Sequence, residues 1–169
     1  MAHDLIEDIP LMARWRSAAR AAALLPSLYS RALREEGPLE EREQMVWYAF
    51  GKEVGDIART FGLPVGDAEE VCETFRACTL VLFGPDFRIT VLSASEDSAT
   101  IVMKGCPFCG MIRGSGGDEA VGFSWCLPYA LSAVEALNSE FTLRFVRSRC
   151  MGDGQCEMTV QRREDGGGT

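Results

Sequence analysis

At Asp86 the sequence changes period, and that change restricts the fold more than composition does. Before it, apolar residues return every three or four positions, as on one face of a helix; after it, short stretches alternate apolar and polar residues as strands do. LMARWRSAARAAALL is rich in Ala, Leu and Arg, and Pro26 ends or bends the helix it predicts. A second helix is signalled by Gly37, Pro38 in the first turn, acidic EEREQ and a stop at Gly62. Its apolar face uses Val46, Phe50, Val54, Ile57 and Phe61. Asp67 caps a third, DAEEVCETFRACTLVLF, on which Val71, Phe75, Cys78 and Val81 share a face.

Beyond residue 86, FRITVLSA and ATIVMKG predict two strands around the polar turn SEDS. GMIRGSGGDEAVG reads as a flexible loop, a candidate lid. The helix LPYALSAVEALN is expected to start near Pro128 and stop at Asn138. FTLRFVRSRC and CEMTVQRR then form a hairpin around Gly-Asp-Gly. The predicted fold is α+β: N-terminal helices (1–82) followed by a β-β-α-β-β antiparallel sheet half (86–162). A disordered tail (163–169) completes one domain over 1–169.

With 17 Lys and Arg against 25 Asp and Glu, the net charge is −8. Without a basic block the chain is a poor nucleic-acid binder, because phosphate contacts dominate such affinity. No apolar run is expected to be long enough to cross a bilayer, and MAHDLIEDIP lacks a signal-peptide pattern, so a cytoplasmic location and no membrane partner are expected. In that compartment seven cysteines point to metal or reactive-thiol chemistry rather than disulfides. The single histidine, His3, lies near a terminus expected to fray, so any metal is held mainly by sulfur.

Cys72 and Cys78, six apart on the third helix, read as small core residues. The other five fall in the sheet half. In GCPFCG, Cys106 and Cys109 sit where flanking glycines and Pro107 free the backbone to wrap an ion or a reactive sulfur. The motif ends a strand and is not expected to open a helix, which argues against a thioredoxin-type site. Cys126, in FSWCLPYAL, falls near the expected helix start, where unpaired N–H groups and the helix dipole favour a thiolate. In RCMGDGQCE, Cys150 and Cys156 are expected to face each other across the hairpin. Such a pair suits a disulfide, two ligands of one metal or a nucleophile with a neighbour; the expected spacing favours metal or reactive-thiol chemistry.

RCMGDGQCE, preceded by GCPFCG and by SWC with a following helix, resembles the family of L-2-amino-thiazoline-4-carboxylic acid hydrolases. It is also similar to the related 4-vinyl reductase domain of hydrocarbon-binding and phenol-sensing proteins. The resemblance covers roughly residues 86–162. For the sensor members it implies a zinc site carried over to Cys126, Cys150 and Cys156, with a glutamate three residues before Cys150. That position is Arg147 here, so Cys109 or Cys106 is left to supply a fourth ligand. Four thiolates suit a closed zinc site or an iron–sulfur cluster; three plus an open position suit catalysis.

The hydrolase branch implies cleavage of a small cyclic C–N or C–S substrate, with Cys126 or a metal-bound water attacking. Arg144, Arg147 or Arg149 then hold a substrate carboxylate, and the base comes from Asp118, Glu119, Asp153 or Glu157. The alternative is a non-catalytic sensor or carrier whose cysteine site stabilises a pocket lined by Trp47, Tyr48, Phe50, Trp125 and Tyr129. The partner expected in either case is a small molecule, and a homodimer is allowed.

Overall fold

The computed structural model describes residues 10–34, 40–114 and 119–164. His3, the signals Gly37 and Pro38, Asp118 with the rest of 115–118, and the end of the tail lie outside those residues. Helices come first: α1 (Leu11–Arg34), α2 (Glu40–Gly51), α3 (Glu53–Phe61) and α4 (Ala68–Phe83). Strands β1 (Arg88–Ser95) and β2 (Ser98–Gly105) follow, then α5 (Pro107–Gly114), α6 (Ala120–Leu137), β3 (Phe141–Arg147) and β4 (Cys156–Arg162). The sheet is antiparallel throughout, in the order β1-β2-β4-β3. The expected α+β layout is the one observed, with an additional short helix, α5, before α6.

Strand alternation builds the core. Ala99, Ile101 and Met103 on β2 oppose Val160, Met158 and Cys156 on β4, and all six are buried. Leu143 on β3 extends the layer opposite Val160. Helices α4 and α6 pack against the sheet. Asp67 caps α4 as expected, accepting the Glu70 N–H at 2.8 Å. Cys72 and Cys78 are fully buried, as read from the sequence. Val81 is exposed, because the buried stripe drifts round the helix and ends on Phe83 instead.

The second expected helix is two. A break at Lys52 separates α2 from α3, so one apolar face cannot run through both. Val54 is buried, but Val46 (66% exposed) and Phe61 (71%) face outward, and Trp47 is the residue of α2 that enters the core. The cause lies at α6. A methyl at Gly51 would run into Ser132 Oγ and stand 2.5 Å from the Tyr129 carbonyl, and one at Gly55 would stand 2.7 Å from the Ala136 carbonyl. These glycines let two backbones cross closely at successive turns of α6.

Helix α6 begins at Ala120, eight residues before its expected start, and Pro128 sits inside it. Its 18 residues are apolar and long enough to cross a membrane by composition, which corrects the expectation that no run is. Here Trp125, Tyr129, Ala130, Ser132, Ala133, Val134 and Leu137 are buried against the sheet and the other helices. Pro26 likewise lies within α1, which continues to Arg34.

The crossing is directly testable. Gly51→Ala should lower the free energy of urea unfolding by about 1–3 kcal/mol, the usual cost of overpacking. Gly110→Ala, where an added Cβ meets nothing within 4 Å, should instead leave it unchanged or raise it by up to about 1 kcal/mol, the helix preference of Ala over Gly inside α5. Equal effects at the two positions would contradict the close crossing.

Candidate functional site: an aromatic cavity walled by thiols

The crossing of α2 over α6 brings Trp47 onto Trp125, with ring centroids 5.6 Å apart and planes 19° from parallel. Phe83, at the end of α4, meets Phe108 of α5 at 5.0 Å and Tyr129 of α6 at 5.3 Å, both edge to face. These rings surround a cavity of about 40 Å3, also lined by Phe75, Phe87, Met103, Phe145 and Met158. Four cysteines reach it: Cys106, Cys126, Cys150 and Cys156. Among its lining residues there is no carboxylate, lysine, arginine or histidine.

Two polar groups stand out in this apolar wall. Tyr129 Oη lies 3.4 Å from Thr79 Oγ1, a long contact, and burial pushes its phenol pKa upward. Trp125 is 3% exposed, and among the described residues no acceptor reaches its Nε1–H. A buried donor left unpaired costs about 1–3 kcal/mol. Of the aromatics expected from sequence, Trp47, Trp125 and Tyr129 line the cavity. Phe50 packs behind Trp47 at 5.9 Å, and Tyr48 is exposed and donates to Glu135 at 2.7 Å. No sequence spacing relates Phe83, Phe87 and Phe108: Phe83 ends α4, Phe87 lies between α4 and β1, and Phe108 is in the first turn of α5.

The structure rearranges the expected cysteine geometry. Cys150 does not face Cys156 across a ladder. The chain leaves β3 at Arg147, opposite Glu157, and a single 3-10 turn (Arg149–Met151) carries Cys150 off the sheet; Cys156 pairs with Met103 instead. Asp153 holds that turn, its carboxylate accepting the Ser148 N–H at 2.8 Å. Cys150 then lies against α6, where a Cβ on Gly122 would come within 2.8 Å of its sulfur. GCPFCG also differs from expectation: Cys106 follows β2 directly, and Pro107 opens α5 with Cys109 in its first turn. Cys109 Sγ lies 3.1 Å from Cys150 Sγ, and both residues are buried.

Electrostatics separate the thiols. Contacts with the Cys106 and Cys150 thiols, with Arg149 and Arg113 nearby, hold the Cys109 thiol well below the ordinary range. The same contacts push Cys106 and Cys150 upward, and burial pushes Cys156 upward. Cys126 corrects a sequence argument. Because α6 starts at Ala120, Cys126 lies in the second turn, past the unpaired N–H groups that favour a thiolate. Burial, with smaller contributions from Cys156 and Cys109, pushes it up to about 12.

Outside the cavity, α1, β1, α5 and the 3-10 turn border an open cleft of about 690 Å3, lined by Arg20, Asp86, Arg88, Cys106, Cys109, Arg113 and Arg149 among others. Arg113 is held by Glu119 at 2.7 Å, and Asp86 by Arg16 and Arg20, each at 3.0 Å. Arg149 donates its guanidinium to the Lys104 carbonyl and its backbone N–H to Cys156 Sγ at 3.4 Å. Thus Arg149 borders the cysteines. Arg144 and Arg147 are exposed and line neither space, and Arg147 lies 3.9 Å from Glu157. Among the described residues no group of three or more His, Cys, Asp or Glu side chains is placed to hold one metal ion. The five thiols have the right donor chemistry for zinc or an iron–sulfur cluster, but they are strung along two spaces rather than drawn to one point.

No family model matches the sequence, and no curated protein matches it. Solved structures do. A trafficking protein particle complex subunit 3 from Naegleria fowleri, covalently bound to palmitic acid, aligns with a TM-score of 0.58 at 16% identity, covering 87% of this chain and 96% of that one. The phenol-responsive sensory domain of the transcription activator PoxR, with phenol, aligns with a TM-score of 0.59 at 16% identity, covering 83% of this chain and 74% of that one. At such identities the likeness is one of fold. It does not show the hydrolase family.

The buried thiols give the chain an alkaline limit. Burial pushes the thiols of Cys72 and Cys126 up to about 12, from an ordinary thiol value of 9.0. Their folded pKa values lie above the unfolded ones, so this contribution is fully present below about pH 9 and is lost as pH rises toward about 12. Urea unfolding should therefore show stability falling across that window. Cys126→Ala should flatten the slope whatever it does to stability at neutral pH; an unchanged slope would place the Cys126 thiol in water.

Proposed function

We propose that this chain is a binding domain for a small aromatic molecule carrying a hydrogen-bond acceptor, working as a non-catalytic sensor or carrier. The observation that carries the reading is Trp125: a buried donor in the wall of an aromatic cavity, with no acceptor reaching it among the described residues. A phenolic oxygen would satisfy that donor while the ring displaced nothing but apolar contact. The neighbours in fold support the chemistry, since one is described with phenol and the other with palmitic acid, both largely apolar with a polar end.

The cavity is small for this task. About 40 Å3 is well under the ~150 Å3 of an engineered cavity that takes benzene, so a ligand enters only as the wall yields. Met103 and Met158 line it with flexible side chains suited to such a shift. Occupancy would then move the sheet side of the core against α6, which is how a binding event becomes a signal. Hydrolysis by Cys126 is less favoured: its thiol is held protonated, and no general base lines the cavity.

Calorimetric titration with phenol and with benzene tests the reading. Phenol should bind one-to-one, and benzene about fivefold more weakly, the worth of roughly 1 kcal/mol for one neutral hydrogen bond. Trp125→Phe should remove the preference while leaving benzene binding nearly as it was. No binding of either ring, or a preference unchanged in the variant, would overturn it.

A further inference from the structure

Cys109 and Cys150 are brought together from positions 41 residues apart, one on α5 and one on the turn after β3, with their sulfurs 3.1 Å from each other. They open to different spaces. Cys109 lines the outer cleft, whereas Cys150 lines the inner cavity and not the cleft. Cys109 keeps only 3% of its surface exposed, so whatever reacts with it from the cleft must be small. Arg113 and Arg149, which line the same cleft, lie close enough to act on the Cys109 sulfur. Such cations favour a thiolate and ease the departure of an anionic leaving group.

From this placement we infer that Cys109 and Cys150 form an oxidation site, in which a small hydroperoxide entering the cleft oxidises Cys109 and Cys150 resolves the product as an intramolecular disulfide. In the first step the Cys109 sulfur attacks one peroxide oxygen. An S–O bond forms, the O–O bond breaks, and hydroxide leaves between the arginines and takes a proton from solvent. In the second, Cys150 attacks the sulfenic sulfur of Cys109. The S–S bond forms, the S–O bond breaks, and the hydroxyl leaves as water with the Cys150 proton. Two thiols are oxidised and one hydroperoxide is reduced, giving two waters when the oxidant is hydrogen peroxide. A disulfide made this way in a reducing compartment is transient, as redox-sensing ones are. The site does not depend on the cavity taking an aromatic ligand.

The test is peptide mapping, under non-reducing conditions, of the fully reduced chain after treatment with equimolar hydrogen peroxide. The expected result is loss of two hydrogens per chain, with the cross-link between the peptides of Cys109 and Cys150. In Cys150→Ser, a dimedone adduct should accumulate on Cys109, the trapped sulfenic acid. In Cys109→Ser, peroxide consumption should slow by about tenfold, to the rate of an ordinary thiol. A cross-link mapping to Cys106–Cys109 or Cys150–Cys156 would overturn the assignment. So would thiols that all react at one rate without any cross-link. The wild-type map needs no variant to fold.

Discussion

The close passage of α2 over α6 is the contact on which the rest of the interior depends. Gly51 removes the side chain that would strike Ser132 and the Tyr129 carbonyl, and the helices approach until Trp47 lies flat on Trp125. That stack sets the wall against which Phe50, Phe108 and Tyr129 pack edge-on to Trp47, with Phe83 tilted against the same ring. Such ring contacts add roughly 0.5–1.5 kcal/mol each beyond their buried area, so the geometry is reinforced from several sides. A wall built of stiff rings does not collapse easily, and a small cavity survives inside it.

Burial and neighbouring charge then sort the thiols. Cys72, Cys78 and Cys126 are kept protonated by their apolar surroundings and behave as small hydrophobes. Cys109 differs because two neighbouring thiols and two guanidinium groups act on it. The same residue types therefore have opposite chemistry within one stretch of the interior. The cavity side is apolar and uncharged, suited to holding a ring, and the cleft side is polar and cationic, suited to reaction.

Much of this order was legible in the sequence. The period change at Asp86, the cap at Asp67, the stop at Asn138, the placing of β1, β2 and β4 and the burial of Cys72 and Cys78 follow from local rules that tertiary contacts did not override. What was not legible depended on partners distant in sequence. The break after Gly51 falls where α2 passes closest over α6, a partner some eighty residues away in sequence. The start of α6 was hidden by Gly122, which looks like a helix breaker but is small so that Cys150 can pack there. The facing of Cys150 and Cys156 failed for a local reason that spacing does not reveal: a 3-10 turn pinned by Asp153 removes Cys150 from the ladder. No pattern in the chain announces that Cys109 and Cys150 meet.

The central claim is that Trp125 Nε1–H awaits an acceptor on a ligand, and the indole N–H region of the proton–nitrogen correlation spectrum observes it directly. The chain has three tryptophans, so three indole signals are expected, assignable by Trp125→Phe. On adding phenol, the account predicts a downfield shift of the Trp125 signal, as a new hydrogen bond forms, with smaller ring-current changes at Trp47. A Trp125 signal that stays in place while phenol saturates the protein would contradict it.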